Sequence, residues 1–327
     1  MNFKRKLLTF LISFLFIIPI NTFAYSKYLI PGGENIGIKV SSDGVYIVGF
    51  YTVNGHEIAK EAGFKVGDRI VSINDDSVTS VNDLVSKIRS NEEYLNVKIG
   101  YLRNDKLGTV NMSLIKDKNG SYKTGLYVKD SITGIGTLTY INPEDNSYGA
   151  LGHDIVESAS NTKFIIDSGN IYESKITSIT KGTLNQPGEK NAKINQKKVL
   201  GTIQKNLNTG IYGKMDVEFN NNNLVEVASL DEVEIGKAEI ITVLDGNKKD
   251  TYEIEILSIN KKEATKNFLI KVVDERLVDK TGGIIKGMSG SPIIQNGKIV
   301  GAITHTLIDN PKKGFGISIV KMLESVE

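Results

Sequence analysis

Cysteine and tryptophan are absent from this 327-residue sequence, and histidine occurs only three times. Without cysteine there is no disulfide, no thiolate-ligated zinc or iron–sulfur centre and no cysteine nucleophile. Three histidines give little support to a histidine-rich metal site. The sequence also has no P-loop and no dinucleotide-binding fingerprint. We therefore expect neither a metal ion nor another cofactor.

Charge of one sign and proline are also scarce. Lys and Arg number 40 and Asp and Glu 38, so the net charge is 40 − 38 = +2. Nucleic-acid partners usually require a basic stripe, and none is expected here. Only 6 prolines stand against 32 glycines, which indicates many turns but no proline-rich linker. A hydrophobic fraction of 40% is typical of globular proteins, and the length predicts two domains.

The first 24 residues have the pattern of an export signal. Basic residues at positions 4–6 precede an apolar run over 7–20, and a small residue, Ala24, follows. The apolar run is short for a membrane-spanning helix, which needs about 20 residues. A cleaved signal peptide and a retained membrane anchor both stay open, and either predicts export across the cytoplasmic membrane. Residues 25–34 are expected to form an exposed segment behind it.

The first folded unit is predicted to span residues 35–115. Its opening stretch, 35–50, alternates around a turn at 42–44 and predicts two strands. Apolar residues at i, i+3, i+4 and i+7 predict a helix over 81–89. The stretch 62–74 with this helix and the strand at 95–101 resembles a PDZ domain.

The resemblance to a PDZ domain implies that this unit binds an extended peptide. PDZ domains add the peptide as a strand to a sheet edge. Ile36, Gly37 and Ile38 are the candidate peptide-binding residues, since a glycine lets the ligand backbone approach closely. His56, in a polar loop, is expected to be a solvated surface residue. Residues 116–123 are polar and turn-rich and predict a linker.

The second unit is predicted to span residues 124–327. Short alternating segments separated by glycine and asparagine predict many strands and therefore a barrel or sandwich. Helical periodicity is confined to the end of the chain, near 319–326. With the first unit, the fold class is mainly β with a smaller α+β part.

The most informative stretch of this unit contains Ser289. Its Gly287-Met288-Ser289-Gly290 turn presents a hydroxyl, and the Gly287 and Ser289 N–H groups could stabilise an oxyanion. A Ser-Pro pair and an Asn-Gly hairpin signal follow. This order resembles the chymotrypsin-like serine peptidases, which implies a double β-barrel with Ser289 as nucleophile. The return strand of the hairpin, with Thr304 and His305, would line the substrate pocket.

A serine nucleophile needs a base, and a carboxylate usually orients that base. His153 precedes Ser289, as in the chymotrypsin chain order, and is favoured over His305 as the base. Spacing alone favours Asp216 or Asp231 as the orienting carboxylate, from a set of candidates that consists of Asp216, Asp231, Asp274 and Asp279.

Several segments together resemble one family, the SpoIVB peptidases of endospore-forming bacteria. The matching segments are 29–37, the PDZ unit, 134–139, 149–153, 185–190 and 281–305. The order of PDZ before peptidase is itself discriminating. The resemblance implies that His153 and Ser289 are catalytic, and that Asp274, shortly before the serine motif, completes the triad. Asp279 is the nearby competitor.

The family resemblance also implies a biological role. Such peptidases are exported into the space between the mother-cell and forespore membranes. They cut themselves near the N-terminus, for which residues 25–34 are the candidate region, and then cut a membrane-associated regulator to signal late sigma-factor activation. Two alternatives stay open: a non-catalytic envelope scaffold that binds peptide tails through its PDZ domain, and an envelope chaperone.

Overall fold

The computed structural model describes residues 25–90, 96–217 and 223–326. The predicted export signal, residues 1–24, lies outside the described residues. Within these ranges the strands are β1 (Tyr28–Pro31), β2 (Asn35–Phe50), β3 (Arg69–Ile73), β4 (Asp76–Ser77), β5 (Asn96–Arg103), β6 (Lys106–Ser113), β7 (Ile115–Lys116), β8 (Tyr122–Lys123), β9 (Leu126–Ile141), β10 (Ser147–Ala150), β11 (Val156–Glu157), β12 (Thr162–Lys163), β13 (Ser168–Thr180), β14 (Glu189–Leu207), β15 (Gly210–Met215), β16 (Val225–Val227), β17 (Gly236–Asp245), β18 (Lys248–Ile259), β19 (Phe268–Val272), β20 (Pro292–Gln295), β21 (Lys298–Leu307) and β22 (Asn310–Ser318). The helices are α1 (Ile58–Glu61), α2 (Val81–Ser90), α3 (Glu275–Thr281) and α4 (Ile319–Glu324).

Twelve of these strands form two antiparallel barrels of six strands each. In the first barrel β2, β9, β10, β15, β14 and β13 pair in that order, and β13 returns to β2. In the second, β17, β18, β19, β22, β21 and β20 pair in that order, and β20 returns to β17. The mainly β fold class and the double barrel are thereby confirmed.

Each barrel has its own apolar core, and a third cluster joins the barrels. Ile36 and Ile171 are fully buried in the first barrel, and Ile254 and Phe268 in the second. The joining cluster includes buried side chains of β1, β9, β21 and α4. Burial on this scale supplies most of the driving force that holds the barrels together.

The PDZ unit grows out of the first barrel, because β2 and β9 continue beyond it. There β9, β2, β3, β5 and β6 form one sheet, and α2 packs against it through Leu84 and Ile88. At the start of α2, the Ser80 hydroxyl accepts a hydrogen bond from the Asp83 N–H and so caps the helix.

The prediction of two strands around a turn at 42–44 is wrong. Residues 35–50 form one strand with an irregularity between Ser41 and Tyr46, where the Ser42 hydroxyl donates to the Gly44 carbonyl. Gly44 has φ of 108°, which suits glycine. Because β2 continues past this bulge, its first half belongs to the barrel, and the PDZ unit is an insertion after the first barrel strand.

The expectation of an exposed segment over residues 25–34 is met only at Lys27 and Tyr28. Lys27 is exposed, but β1 follows at once and pairs with β16 and β9. Leu29 is fully buried, because β1 closes the contact between the barrels. Among the described residues, no helix is both long enough and apolar enough to cross a bilayer.

Candidate active site

The turn that carries Ser289 is held between the two barrels. The Ser289 carbonyl accepts a hydrogen bond from the Thr137 N–H of β9, and the Gly290 N–H donates to the Ile303 carbonyl of β21. Gly290 has φ of 94°, and a Cβ there would lie 2.0 Å from the Thr137 carbonyl oxygen. Only glycine fits this position, which explains the glycine-flanked serine in the sequence.

Ser289 and both histidines of the peptidase unit line one cleft of about 530 Å³ between the barrels. Gly287 and Lys286 line it beside Ser289, and a stretch of β9 also lines it. The structure therefore brings together Ser289, His153, His305 and Gly287, which the sequence places up to 152 positions apart.

His153 lies just after β10, on a turn in which Leu151 and Gly152 both have positive φ. Its Nδ1 is 2.8 Å from the backbone carbonyl oxygen of Asp154. A carbonyl can only accept, so this contact requires the proton on Nδ1 and leaves Nε2 free to accept one. Burial lowers the pKa of His153 below its usual value of 6.5, which favours the neutral form that a general base needs.

His305 stands beside His153, with 5.0 Å between the ring centroids. Desolvation, and then the neighbouring His153, lower its pKa to about 4. His305 is therefore neutral near pH 7 and adds no positive charge beside the base. Its place on the cleft wall agrees with the pocket role predicted for it.

The Ser289 hydroxyl donates to the carbonyl oxygen of Thr304 at 2.7 Å. Thr304 is only 2% exposed, and its own hydroxyl donates to the Phe315 carbonyl. Thr304 is thus not among the residues that line the cleft, contrary to the prediction; it lies beneath the nucleophile because β21 passes under the turn. To give its proton to His153, the serine hydroxyl has to rotate away from this carbonyl.

Two amides are available for an oxyanion. Neither the Gly287 nor the Ser289 N–H donates to another group within the described part of the chain. The peptide between them is fixed, since the Thr137 hydroxyl donates to the Gly287 carbonyl at 2.8 Å. Pre-oriented donors of this kind stabilise a developing oxyanion without reorganising during the reaction.

Asp274 does not reach this cleft. It caps α3, and both of its carboxylate oxygens accept hydrogen bonds from Arg276, one at 2.6 Å and the other at 3.1 Å. Arg276 accordingly lowers the pKa of Asp274. The structure therefore does not support Asp274 as the orienting carboxylate, because its side chain is committed to α3 and to the Glu253 N–H.

The other carboxylate candidates also lie away from the cleft lining. Asp231 pairs with Lys261 at the surface, and Asp216 and Asp279 are exposed. Among the described acidic residues, Asp154 lines the cleft and touches the histidine, through its backbone rather than its side chain. Its position directly after His153 was the sequence signal for it.

A buried lysine behind the serine turn was missed in the sequence. Lys190 is 3% exposed, and its ammonium group donates to the hydroxyls of Thr242 at 2.9 Å and Thr137 at 3.4 Å. Thr242 also accepts from the Ser291 hydroxyl. Desolvation lowers the pKa of Lys190 to about 7. The network links β14 and β17 to the residues that hold the nucleophile.

The predicted peptide-binding residues Ile36, Gly37 and Ile38 are not at a free sheet edge. They pair with β9 on one side and with β13 on the other. A Cβ on Gly37 would lie 2.5 Å from the Ile194 side chain, so this glycine serves barrel packing. The prediction is wrong because β2 continues through the bulge and does not fold back as a hairpin.

The paired barrels, the serine turn, the histidine and the two free amides define a serine endopeptidase that carries a PDZ domain. Residues 120–323 match the family described as SpoIVB peptidase S55, and residues 35–114 match the PDZ domain family. The chain belongs to the SpoIVB peptidase S55 family.

Comparisons with individual proteins add similarity in parts of the chain. No curated protein matches it. The PDZ domain of an SdrC-like protein from Listeria monocytogenes is 27% identical over 27% of this chain and 90% of that domain, with a TM-score of 0.23. The active form of the Rv3671c protease from M. tuberculosis is 12% identical over 76% of this chain and 87% of its own, with a TM-score of 0.34. Human heparin binding protein is 13% identical over 55% of this chain and 73% of its own, with a TM-score of 0.29.

Proposed function

We propose that this protein is an exported peptidase of sporulation that cuts itself and then a membrane-associated regulatory protein. The cut would take place in the space between mother cell and forespore and would signal late sigma-factor activation. Family membership and the PDZ domain support a protein substrate. The observation that carries the catalytic part is the cleft shared by Ser289, His153 and the unengaged amide of Gly287.

The proposed mechanism is acyl transfer. The Ser289 hydroxyl turns from the Thr304 carbonyl toward His153, which takes its proton as the oxygen attacks the peptide carbonyl. The Gly287 and Ser289 N–H groups hold the oxyanion. The protonated His153 then gives its proton to the leaving amine, and water hydrolyses the acyl-enzyme. The Asp154 carbonyl keeps the Nδ1 proton in place throughout.

Self-cleavage is proposed at Lys27, which is exposed directly before β1. A cut inside β1 would have to withdraw Leu29 from the contact between the barrels, whereas Lys27 is exposed. Exposed segments at chain ends are preferred sites of proteolysis.

Intact mass over time tests this function, with wild type beside Ser289→Ala and a serine-directed fluorophosphonate. We expect N-terminal trimming and a single adduct on Ser289 in wild type, and neither in the variant. Trimming by folded, protease-free Ser289→Ala would refute the nucleophile. Folded wild type with neither adduct nor trimming would favour the PDZ scaffold.

A further inference from the structure

One edge of β9 has no strand partner over residues 126–136. On its other edge β9 pairs with β2 from Leu126 to Thr137. On the edge that faces away from β2, pairing with β10 begins only at Leu138, next to the hydrogen bond from the Thr137 N–H to the Ser289 carbonyl. Within the described ranges no other strand pairs with β9 there, and Thr133 is exposed. The unpaired edge is therefore open to an added strand.

At its beginning, this edge lies beside helix α2 of the PDZ unit. The Val81 N–H at the start of α2 donates to the Asp130 side chain at 2.9 Å, and Val128 packs against the cluster that contains Leu84. Gly125, with φ of 73°, forms the turn just before the strand. An edge strand beside a helix, preceded by a glycine turn, is the arrangement that holds a peptide and its terminal carboxylate.

At its other end, the same edge borders the nucleophile. Ile132, Gly134 and Ile135 of β9 line the cleft that contains Ser289. The space between the start of β9 and α2 is called the PDZ groove here. β9 thus leads as one strand from the PDZ groove to Ser289, with no change of sheet. The open sheet edge that the sequence placed on β2 is found on β9.

We propose that the carboxyl-terminal tail of the substrate pairs antiparallel with this edge, its end held at Gly125 and its scissile bond at Ser289. This rests on the proposed peptidase function, and it adds the direction and the register of the substrate. β9 runs from the groove toward Ser289, so an antiparallel tail has its carboxyl end in the groove. At about 3.3 Å per residue, the nine steps from Leu126 to Ile135 span about 30 Å. The bond that is cut therefore lies about ten residues from the carboxyl end.

A pool of unstructured synthetic peptides of varied sequence tests the register. Each peptide is about 80 Å long when extended, so it exceeds the span from the groove to Ser289. Half of the pool has free carboxyl ends and half is amidated, and cut positions are mapped by mass spectrometry. With wild type we expect cuts to cluster about ten residues from the free carboxyl end. Amidation removes a charged hydrogen-bonding group and should lower the rate of these cuts about tenfold.

A variant of the edge itself separates pairing from the rest of the site. The β2 register is regular over residues 35–41, so the Thr133 N–H points to the same side as that of Thr137, away from β2. Thr133→Pro removes this donor while it leaves the β2 pairing intact. We expect the clustering to be lost in Thr133→Pro and kept in the matched control Thr133→Ala, with both still labelled by the fluorophosphonate.

Cuts by wild type at random distances, or clustered from the amino end, would overturn the proposed register. Equal rates on free and amidated peptides would overturn the carboxylate groove. If Thr133→Pro is unfolded by circular dichroism, the wild-type comparison of free and amidated peptides still decides. No cuts together with no fluorophosphonate adduct would instead contradict the proposed peptidase function, which is a distinguishable result.

Discussion

Replacement of Lys190 by methionine should stabilise the protein at neutral pH and change the way its stability depends on pH. Lys190 is buried, and the hydrogen-bond partners of its ammonium group among the described residues are two threonine hydroxyls. An ammonium group has three protons to donate and desolvation opposes its charge, so the folded state holds its proton weakly. Methionine fills a similar volume and carries no charge.

The size of the effect follows from the shift in the pKa of Lys190, from 10.5 to about 7. At roughly 1.4 kcal/mol per pKa unit, the lowered pKa of Lys190 reduces the free energy of unfolding by about 4 kcal/mol at pH 7 and about 2 kcal/mol at pH 9. Between these two pKa values the unfolded chain binds more protons than the folded chain, so raising the pH stabilises the fold. Between pH 7 and 9, the free energy of unfolding of the wild type should therefore rise by about 2 kcal/mol relative to that of Lys190→Met. At pH 7, loss of the hydrogen bonds should offset about 1 kcal/mol of the stability advantage of Lys190→Met.

Urea unfolding followed by circular dichroism, at pH 7, 8 and 9, measures this difference. The exposed Lys197 provides the matched control: Lys197→Met removes one positive charge without relieving burial. We expect the stability advantage of Lys190→Met to shrink as the pH rises. An advantage that is the same at all three pH values, or a variant less stable than wild type at pH 7, would refute the reasoning.

Two further predictions concern the catalytic groups. Asp274→Asn should keep kcat/KM within a few-fold of wild type, because asparagine also caps a helix and the carboxylate lies away from His153. The matched control is Asp279→Asn, which should stay active. A loss of about 10⁴-fold in Asp274→Asn alone would show that Asp274 orients the base. Because burial lowers the pKa of His153, kcat/KM should fall only as the pH drops through a midpoint below 6.5, where His153 takes up a proton. An acid limb with its midpoint at or above 6.5 in a pH–rate profile would contradict the buried, neutral base.

The sequence by itself determined the features that depend on neighbouring residues. The Ser289 turn needs glycine at positive φ, and α2 needs apolar residues at helical spacing, and both patterns are readable within a few positions. The PDZ unit has such a local signature, whereas the double barrel and the pairing of His153 with Ser289 are expected from the resemblance to chymotrypsin-like peptidases.

Only the tertiary structure decided the features that depend on distant pairings. Whether residues 35–50 fold back or run on depends on β9 and β13, which lie about a hundred positions further along. Lys190 is buried because Thr137 of β9, Thr242 of β17 and the turn at Gly287 meet around it, and its local sequence does not differ from that of an exposed strand lysine. The family resemblance points to Asp274, but Arg276, two residues away, engages its carboxylate. Local patterns fix backbone conformation, whereas burial and partners are set by which strands close each barrel.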